Sequence, residues 1–533
     1  MSNQLYSGQG RDINVFAGQS LAVSSITGAY TATIIAGAGI GTALATASTG
    51  GATYGPYSGG VTIRLKSGEG GLIDYEAAVS PVLNYAGPAR LGYSAAGDTS
   101  SVVDPAGNAL RMAVPNGVLL AGIGDSITYQ NTNGSSLLLR AIGYASWAAA
   151  LSGGRLLFSN SLNFGVSGDS STQVLARTDA AVATIKAANC QYCVVLVGTN
   201  DVYSGGGIAT DVSISNLSAI YAKFLDAGIT PILMPIIPRA KDGTSGSMLT
   251  ADRQKQQRVN NWIRDYAAST PGVIIADPTT DIVDHSVTNG DPIGALTAST
   301  TAFTYDGLHP GPRAAFFMGR AISDAMSSRL VGISRKAWSQ ADTYSATNNQ
   351  SGNLLANGFL TGTGGTAGTG TTGSIATSWT ARRQAGSTGA LTASKGTIAT
   401  GNGTTYPTQV LSAVAPAGSA SEVFQLYQQI YSNFAAGDVV VLECDVSVSG
   451  VTAGSLKELF LQCIDDTQQA RHLQSEGGFY MPDQSWSGTL RTPPLTLASG
   501  VTNITSTVQF TLDGTVASNA AVVTVSRVRL AKQ

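Results

Sequence analysis

The sequence predicts a multidomain fold, in which a central α/β domain with three layers lies between two β-rich segments. The chain has 533 residues, enough for about three domains of ordinary size. Apolar runs alternate with amphipathic helical patterns from residue 115 to residue 335, whereas short strand-like segments fill residues 1–114 and 336–533. The 64 glycines suit the tight turns that these β-rich segments need.

The N-terminal segment, residues 1–114, has the pattern of strands separated by glycine turns. In "GVTIRLKSGEGGLIDYEA" (60–77), apolar and polar residues alternate on both sides of a glycine-rich turn, which predicts a hairpin. The segment has no histidine and no compact polar cluster. We therefore interpret it as a β-sandwich used for attachment or assembly.

Two stretches of this segment bear on localisation. The first residues lack a basic stretch followed by an apolar core, so no secretory signal peptide is predicted. The apolar stretch 31–48 is crowded with Gly, Thr and Ala, so we expect two strands and a turn there instead of a membrane helix. The prediction is a protein without membrane insertion.

Four short apolar runs in the central segment are typical of buried strands. They are "GVLLAGIG" (117–124), "CVVLVG" (193–198), "PILMPIIP" (231–238) and "GVIIAD" (272–277). Between them, apolar residues recur at helical spacing in 217–224 and 259–266. This alternation predicts a parallel sheet sandwiched between helices, whose ligands bind beyond the carboxyl ends of the strands.

The C-terminal segment, residues 336–533, returns to strand-like runs such as "DVVVLECDVSVSG" and "LKELFLQCID". These runs predict a β-sandwich or jelly roll. The stretch "TGTGGTAGTGTTGSIATS" (361–378) is nearly all Gly, Thr and Ser, which predicts a long loop. Cys444 and Cys463 lie in the two strand-like runs, and the sequence leaves their pairing open.

Charge and cysteine content argue against several classes of function. The net charge is -2 and only 12% of residues are charged, about half the usual share. A nucleic-acid-binding role therefore has little electrostatic support. Cys190 and Cys193 form a CxxC pair without a second Cys or His pair nearby, so we expect buried thiols and no zinc site.

Chemically useful polar residues follow apolar runs from separate parts of the central segment. Because the carboxyl ends of parallel strands meet at one edge of the sheet, we expect these residues to converge. They are Ser126 after the first run, Gly168 after "LLFSNSLNF", Asn200 after "CVVLVG", and Asp306 with His309 in "YDGLHPGPRAA".

These residue types suit nucleophilic attack on a carbonyl group. A serine hydroxyl is a weak nucleophile until a base takes its proton, and a histidine held by a carboxylate is a suitable base. Of the 3 histidines, His309 lies in a loop that the following proline holds extended, with Asp306 three residues earlier. The N–H groups of Ser126 and Gly168, with the Asn200 amide, can donate to an oxyanion.

The tripeptide "GDS" occurs twice, at 124–126 and at 168–170. The first copy places Ser126 after a buried strand. The second places Ser170 at the start of a helical stretch, where we expect it to cap the helix. Only the first serine is therefore a nucleophile candidate.

Four blocks of the central segment resemble those of the SGNH, or GDSL, hydrolase family, in the family's order. They are "GDSIT" (124–128), "NFGVSG" (163–168), "GTND" (198–201) and "DGLHP" (306–310). The resemblance implies a flavodoxin-like three-layer fold and ester hydrolysis without a metal or an organic cofactor.

The same resemblance assigns roles to the matching residues. It implies that Ser126 is the nucleophile, His309 the base and Asp306 the residue that orients the imidazole. It also implies an oxyanion hole formed by Ser126, Gly168 and Asn200.

The C-terminal segment resembles jelly-roll carbohydrate-binding modules in its opening "NLLANGFLTGTGG" and in the tryptophan of "ATSWTARR". The resemblance implies sugar binding, and Trp379 and Trp486 are candidates for stacking on sugar rings. In the central segment, Arg239 flanks a polar loop and is a candidate for binding an anionic substrate.

The order of the three segments resembles that of phage tail-fibre, tailspike or head-fibre proteins. It implies a virion-associated, commonly trimeric carbohydrate esterase that contacts other virion proteins through its N-terminal segment. The expected partner is a bacterial surface polysaccharide, capsule or O-antigen, from which O-acetyl groups are removed. Two alternatives stay open: a non-catalytic receptor-binding or structural fibre protein, and a lipase-like esterase.

Overall fold

The computed structural model describes the backbone of ten strands before residue 117, and most of the chain after it. The residues left out after that point are 204, 241–247, 296–301, 328, 331–335, 338, 400–402, 476–478 and 516. The chain divides into two compact units, one formed by 1–93 with 100–102 and the other by 94–99 with 103–533. The three-domain limits predicted above stay a prediction.

The first unit contains two four-stranded sheets, ordered β1-β8-β3-β6 and β2-β7-β4-β5, with every pairing antiparallel. The strands are β1 (Asn3–Leu5), β2 (Gly10–Val15), β3 (Ser20–Thr27), β4 (Tyr30–Gly37), β5 (Ala43–Ser48), β6 (Ala52–Tyr54), β7 (Val61–Ser67) and β8 (Leu72–Ala78). The stretch 31–48 forms paired strands, as predicted. The hairpin predicted at 60–77 is wrong, because β7 pairs with β2 and β4 whereas β8 pairs with β1 and β3.

Two further short strands precede the central sheet. They are β9 (Val102–Val103) and β10 (Ala109–Leu110), which pair with each other. The attachment role of the N-terminal segment stays a prediction.

A parallel sheet forms the centre of the second unit, with the order β13-β11-β15-β16-β17, and β14 also pairs with β11. The strands of this region are β11 (Val118–Gly124), β12 (Leu138–Leu139), β13 (Leu156–Leu157), β14 (Asn163–Gly165), β15 (Tyr192–Leu196), β16 (Thr230–Leu233) and β17 (Ile274–Ile275). Taken in chain order this is the 2-1-3-4-5 arrangement of flavodoxin-like folds. The predicted parallel sheet and its four buried strands are confirmed.

Helices cover both faces of this sheet, which confirms the predicted α/β layering. They are α1 (Ser126–Tyr129), α2 (Tyr144–Leu151), α3 (Ser171–Ala187), α4 (Thr210–Asp226), α5 (Thr250–Ser269), α6 (Thr279–Ile282) and α7 (Pro312–Met326), with a short 3₁₀ turn at Asn160–Leu162. Within the described residues, no helix is long and apolar enough to cross a membrane.

Side chains alternate between the two faces of each central strand, as the period of two in a strand requires. Leu120 and Val194 pack with α2 and α7 in one apolar cluster. Their neighbours Ala121 and Val195 pack with α3, α4 and α5 in a second cluster. Because both faces are covered, the strands are apolar throughout instead of alternating with polar residues.

The C-terminal part is a sandwich of two sheets, which confirms the β-rich prediction. Their orders are β12-β26-β25-β29-β23-β20-β18 and β19-β21-β22-β30-β24-β27, with β28 on β24. The strands are β18 (Gly364–Ala367), β19 (Thr371–Gly373), β20 (Ile375–Arg383), β21 (Ala390–Ala399), β22 (Thr405–Ala415), β23 (Ser419–Ile430), β24 (Val439–Ser449), β25 (Leu456–Ile464), β26 (Gln469–His472), β27 (Trp486–Arg491), β28 (Leu495–Thr496), β29 (Ile504–Gly514) and β30 (Asn519–Lys532).

The long loop predicted at 361–378 is wrong. Strands β18 and β19 and the start of β20 occupy this stretch. Composition misled the prediction, because the Gly and Thr residues here pair with neighbouring strands, as in the register of Thr371 with Leu391.

The α/β part and the sandwich share one hydrophobic core. Strand β12, which lies between α1 and α2 in the chain, pairs with β26 of the sandwich. Trp147 of α2 packs edge-on against Trp486 of β27, with ring centroids 5.1 Å apart. A single buried cluster joins Trp147 and Phe316 to the interior of the sandwich. The two parts are therefore continuous at their boundary.

A buried histidine adds to this junction. His472 accepts a hydrogen bond at Nδ1 from the Arg491 N–H, at 2.8 Å, and its Nε2 lies 3.0 Å from the carbonyl oxygen of Ser146. These partners require a neutral ring with the proton on Nε2, which donates to Ser146. Burial lowers the pKa of His472 to about 4, consistent with the neutral form.

Candidate active site

Ser126 lies at the carboxyl end of β11, where the strand turns into α1. Asp125 caps this helix, since its carboxylate accepts the N–H of Ile127 at 2.9 Å. The turn requires glycine at 124, because a Cβ there would lie 2.2 Å from the carbonyl oxygen of Leu196. As the first helical residue, Ser126 presents its own N–H at a helix end whose amides lack intrahelical partners.

The Ser126 hydroxyl begins a chain of hydrogen bonds. Its Oγ lies 2.8 Å from Nε2 of His309, and Nδ1 of His309 lies 2.8 Å from Oδ2 of Asp306. A carboxylate accepts, so Nδ1 carries the proton and Nε2 is left to accept the serine hydroxyl. The other oxygen of Asp306 accepts the backbone N–H groups of Leu308 and His309.

These bonds keep Asp306 ionised. Burial alone raises the pKa of its carboxyl group, but the hydrogen bonds from the His309 ring and from the loop backbone outweigh burial and lower it to about 2. A carboxylate at this point stabilises the imidazolium that forms when His309 takes a proton.

The loop after β14 supplies the donors expected for an oxyanion. Gly168 has a φ of +83°, which a side chain disfavours, and no atom lies within 4 Å of where a Cβ would be. Position 168 therefore requires glycine because of its backbone conformation, and not because a side chain would clash with neighbouring atoms. The Asn200 amide donates to the carbonyl oxygen of Asp169 at 2.9 Å, so it contacts the loop that carries Gly168. An amide has two N–H donors, and the Asn200 side chain is partly exposed.

Arg177 of α3 links the two "GDS" stretches, and sequence reasoning missed it. Its Nη2 donates to the carbonyl oxygen of Gly124, its Nη1 to that of Phe164 and its Nε to the Asp169 carboxylate, each at 2.7 Å. One side chain thus holds the nucleophile turn and the oxyanion loop together. The sequence did offer one indication of this role, since Arg177 lies directly before Thr178, one of the buried residues of α3.

Gln130 provides a second link that the sequence did not indicate. Its Nε2 donates to the carbonyl oxygens of Ile142, at 2.6 Å, and Pro310, at 3.2 Å. The end of α1 is therefore bonded to the loop that carries His309. This contact sets the position of His309 relative to Ser126.

The sequence of this region matches a family model over most of the α/β part. Residues 123–315 match the GDSL-like Lipase/Acylhydrolase family. This segment is a GDSL-like lipase/acylhydrolase domain. No curated protein shows a significant match to the chain.

Three solved structures are similar to part of this chain. A GDSL-like lipase from Bacteroides thetaiotaomicron has 21% identity and a TM-score of 0.32, over 42% of this chain and 93% of that one. A catalytic mutant of an acetylxylan esterase from Geobacillus stearothermophilus has 17% identity and a TM-score of 0.30, over 40% and 96%. A family two carbohydrate esterase from Clostridium thermocellum, in complex with cellohexaose, has 15% identity and a TM-score of 0.27, over 61% and 93%.

The GDSL-like domain brings the five residues predicted for catalysis to one edge of its sheet. Asp125 and Asp201 bond backbone N–H groups near this edge: Asp125 accepts that of Ile127, and Asp201 accepts that of Ser171, each at 2.9 Å. Ser170 is the N-cap residue of α3, as predicted, and its N–H and hydroxyl both donate to Gln173.

One acidic side chain of the GDSL-like domain, Asp125, is fully buried, and burial disfavours its ionised form. Burial raises the pKa of Asp125 to about 7, against the lowering effects of the Ile127 N–H and of nearby His309 and Arg239. Its Oδ2 has no hydrogen-bond partner among the described residues. The Asp125 carboxyl group therefore titrates near neutral pH in the folded protein.

Three candidate substrate-binding residues lack the exposure that this role needs. Arg239 is only 1% exposed, donates to the carbonyl oxygen of Thr199 at 2.7 Å and lies over the Tyr203 ring. Trp379 is 1% exposed and donates to the Asn357 carbonyl. Trp486 is 6% exposed, in the core described above. Arg239 instead supports the backbone next to Asn200.

The cysteines are all free and buried. Burial raises the pKa of Cys190 to about 11, and it raises the pKa of Cys193 well above its usual value. Such thiols are protonated and unreactive. Among the described residues, no group of three or more His, Cys, Asp or Glu side chains is arranged to hold a metal ion.

Proposed function

We propose that this protein is a carbohydrate esterase that removes O-acetyl groups from a bacterial surface polysaccharide by Ser-His-Asp catalysis. The observation that carries this proposal is the hydrogen-bond chain from Ser126 through His309 to Asp306, beside the Gly168 and Asn200 donors. The match of residues 123–315 to the acylhydrolase family supports an ester as the substrate.

The first half-reaction forms an acetyl-enzyme. The Ser126 Oγ attacks the acetyl carbonyl carbon while its proton moves to Nε2 of His309, and Asp306 stabilises the resulting imidazolium. The carbonyl oxygen becomes an oxyanion, which the N–H groups of Ser126 and Gly168 and the Asn200 amide stabilise. The intermediate then expels the sugar oxygen, which takes the proton from Nε2.

The second half-reaction regenerates the enzyme. Water loses a proton to Nε2 of His309 and attacks the acetyl carbon, forming a second oxyanion in the same hole. Collapse releases acetate as Ser126 recovers its proton from His309. Each step needs only the residues of this site and water.

The exposure of the site favours an ester carried on a polymer. The side chains of His309 and Asp306 are 20% and 31% exposed, and Gly168 is exposed as well. A small acyl group on a long chain can approach such an open site without threading into a cavity. A long acyl chain gains affinity mainly by burial, so it is a less suitable substrate.

The proposal includes where the protein is located. The protein acts as part of a virion, at the bacterial cell surface, with its N-terminal segment joined to other virion proteins in a homotrimer. The succession of a β-rich segment, the GDSL-like domain and a sandwich supports this proposal. Antibody labelling of purified particles tests it, and particles without the protein would contradict it.

Acetate release from acetylated polysaccharide tests the activity. The full chain is compared with Ser126→Ala, which we expect to lose roughly 10⁴-fold or more of kcat, since removal of a serine nucleophile leaves only the remaining binding groups. Full activity in this variant would exclude the mechanism.

The same assays separate the alternatives. Sugar binding without release from any acetylated glycan would favour a non-catalytic receptor-binding fibre. Strong activity only on esters of long acyl chains would favour a lipase-like esterase.

A further inference from the structure

An exposed aromatic ring lies directly beside the proposed catalytic imidazole. The ring of Tyr305 stacks on that of His309, with centroids 5.5 Å apart and planes at 13°. Tyr305 is 39% exposed, an unusual position for a large ring that is held in a stack. Its exposed surface is therefore adjacent to the His309 ring.

The sandwich contributes a second ring to the same place. Phe479, from the segment between β26 and β27, packs on Tyr305 with centroids 5.4 Å apart and planes at 48°. Its Cβ also lies 3.9 Å from where a Cβ would stand at Gly311, the residue that begins α7. We call Tyr305 and Phe479 the aromatic wall.

Described residues on both sides of Phe479 contact the GDSL-like domain or Phe479 itself. Before it, the Gln474 carbonyl oxygen accepts the N–H of Ala141 at 3.1 Å, and the Ser475 hydroxyl donates to the Phe479 carbonyl oxygen. After it, Asp483 forms an ion pair with Arg313 of α7, whose side chain is only 8% exposed. The position of Phe479 is therefore set by the junction between the sandwich and the GDSL-like domain.

The chemistry of the proposed reaction says which part of the substrate meets this wall. The leaving oxygen receives its proton from Nε2 of His309, so the sugar lies on the His309 side of Ser126. Tyr305 stacks on the His309 ring and is itself exposed, so it is the neighbouring surface available to that sugar. The acetyl group faces the oxyanion donors instead.

We propose that the aromatic wall is a subsite for the pyranose ring that carries the ester, so that the sandwich selects the substrate at the catalytic centre itself. This inference rests on the proposed function. The C–H face of a pyranose is apolar and flat enough to cover an aromatic ring, whereas a simple alkyl alcohol covers little of it. Phe479 is the informative residue, because it touches Tyr305 and not His309.

The test compares ring-bearing and ring-free acetate esters on the full chain. The probes are O-acetylated methyl pyranosides of the gluco, galacto and manno series, and ethyl acetate, with acetate release giving kcat and KM. In Phe479→Ala we expect KM for the preferred pyranoside to rise about tenfold with little change in kcat, because the wall contacts the ring equally in the ground and transition states. The kcat/KM ratio of pyranoside to ethyl acetate then falls about tenfold.

Two further variants make the result specific. Phe479→Tyr keeps the ring and should restore the ratio. Tyr431→Ala removes an aromatic ring of the sandwich that is 69% exposed, and should leave both kinetic constants unchanged. Thermal unfolding of each variant establishes that it is folded.

The outcomes are distinguishable. An unchanged ratio in Phe479→Ala, or a fall in kcat on both esters alike, would overturn the subsite. A lower ratio in Tyr431→Ala alone would place sugar recognition on the outer surface of the sandwich and overturn it too. Wild-type activity on ethyl acetate without any preference for pyranosides defeats only this inference, whereas inactivity on every ester defeats the proposed function as well.

Discussion

Replacing Arg177 by methionine should lower turnover although this side chain is not placed against the substrate. Its three hydrogen bonds reach the Gly124 carbonyl before the nucleophile, the Phe164 carbonyl and the Asp169 carboxylate after Gly168. Arg177→Met removes all three and leaves a carboxylate that is 9% exposed without this cation. The oxyanion loop is then free to shift relative to the Ser126 turn.

The size of the effect follows from these bonds. A hydrogen bond to a charged group contributes about 1.5–3 kcal/mol, and Arg177 is a quarter exposed, so we expect the free energy of unfolding to fall by about 2–4 kcal/mol in total. Loss of one oxyanion donor costs about 10²–10³ in kcat. Because the donors here are displaced and not deleted, we expect about a 100-fold lower kcat with KM near the wild-type value.

Ethyl acetate hydrolysis, followed by acetate release, separates kcat from KM. Arg177→Lys keeps the charge but reaches fewer acceptors than the fork of a guanidinium, so its kcat should lie between those of the wild type and Arg177→Met. Lys223→Met is the matched control. It removes an ion pair from α4 to Asp179, which lies on α3 like Arg177, and it does not affect the loop that carries Gly168. A folded Arg177→Met protein with kcat within threefold of the wild type would show that Arg177 only stabilises the fold.

Three further predictions concern single side chains. Ser170→Ala should keep kcat within about twofold and lower the free energy of unfolding by about 1 kcal/mol, because Ser170 caps α3; a loss of activity as large as in Ser126→Ala would contradict the assignment of the two serines. The pKa of the Asp125 carboxyl group is near 3.8 in the unfolded state and about 7 in the folded state. The free energy of unfolding should therefore fall by roughly 4 kcal/mol in total as the pH rises from 3.8 through about 7. Urea unfolding at pH 5 and pH 9 should show about 3 kcal/mol of this loss in the wild type, because pH 5 already lies above 3.8, and none of it in Asp125→Asn. The folded state rejects a proton at His472, so stability should fall by roughly 3 kcal/mol as the pH drops from 6.5 through about 4; equal acid sensitivity in His472→Gln would refute this cause.

Local patterns were enough to predict the central sheet and which residues lie at its carboxyl edge. The runs around Leu120 and Val194 are apolar on both faces, which is how a strand covered by helices must appear. Ser126 and Asn200 each follow such a run directly, so the parallel topology brings them together, and His309 precedes the helix α7 that packs on the same sheet.

Residues whose role depends on distant neighbours were not predictable in this way. Arg177 looks like any polar residue of an amphipathic helix, because its three acceptors lie in other parts of the chain. Arg239 follows a run of apolar residues and looks exposed, but the Thr199 carbonyl and the Tyr203 ring make its burial favourable. Phe479 has no local pattern that points to His309.

The two tryptophans show the same limit within strands. A strand alternates faces, so one register places an aromatic ring in the core and the next places it in solvent. Trp379 and Trp486 take the core register, with Trp486 packed against Trp147. Only the pairing of the sheets decides this choice.

The pairing of β12 with β26 also sets an order of events during synthesis. Ser146 of α2 and the His472 that donates to it are 326 positions apart, so this contact cannot form until residue 472 has left the ribosome. Contacts so distant in sequence form late and slowly. The Ser126 turn and the His309 loop can therefore be translated long before their surroundings are complete. A nascent chain shorter than about 470 residues lacks this contact, and we expect acetate release only from chains long enough to include it.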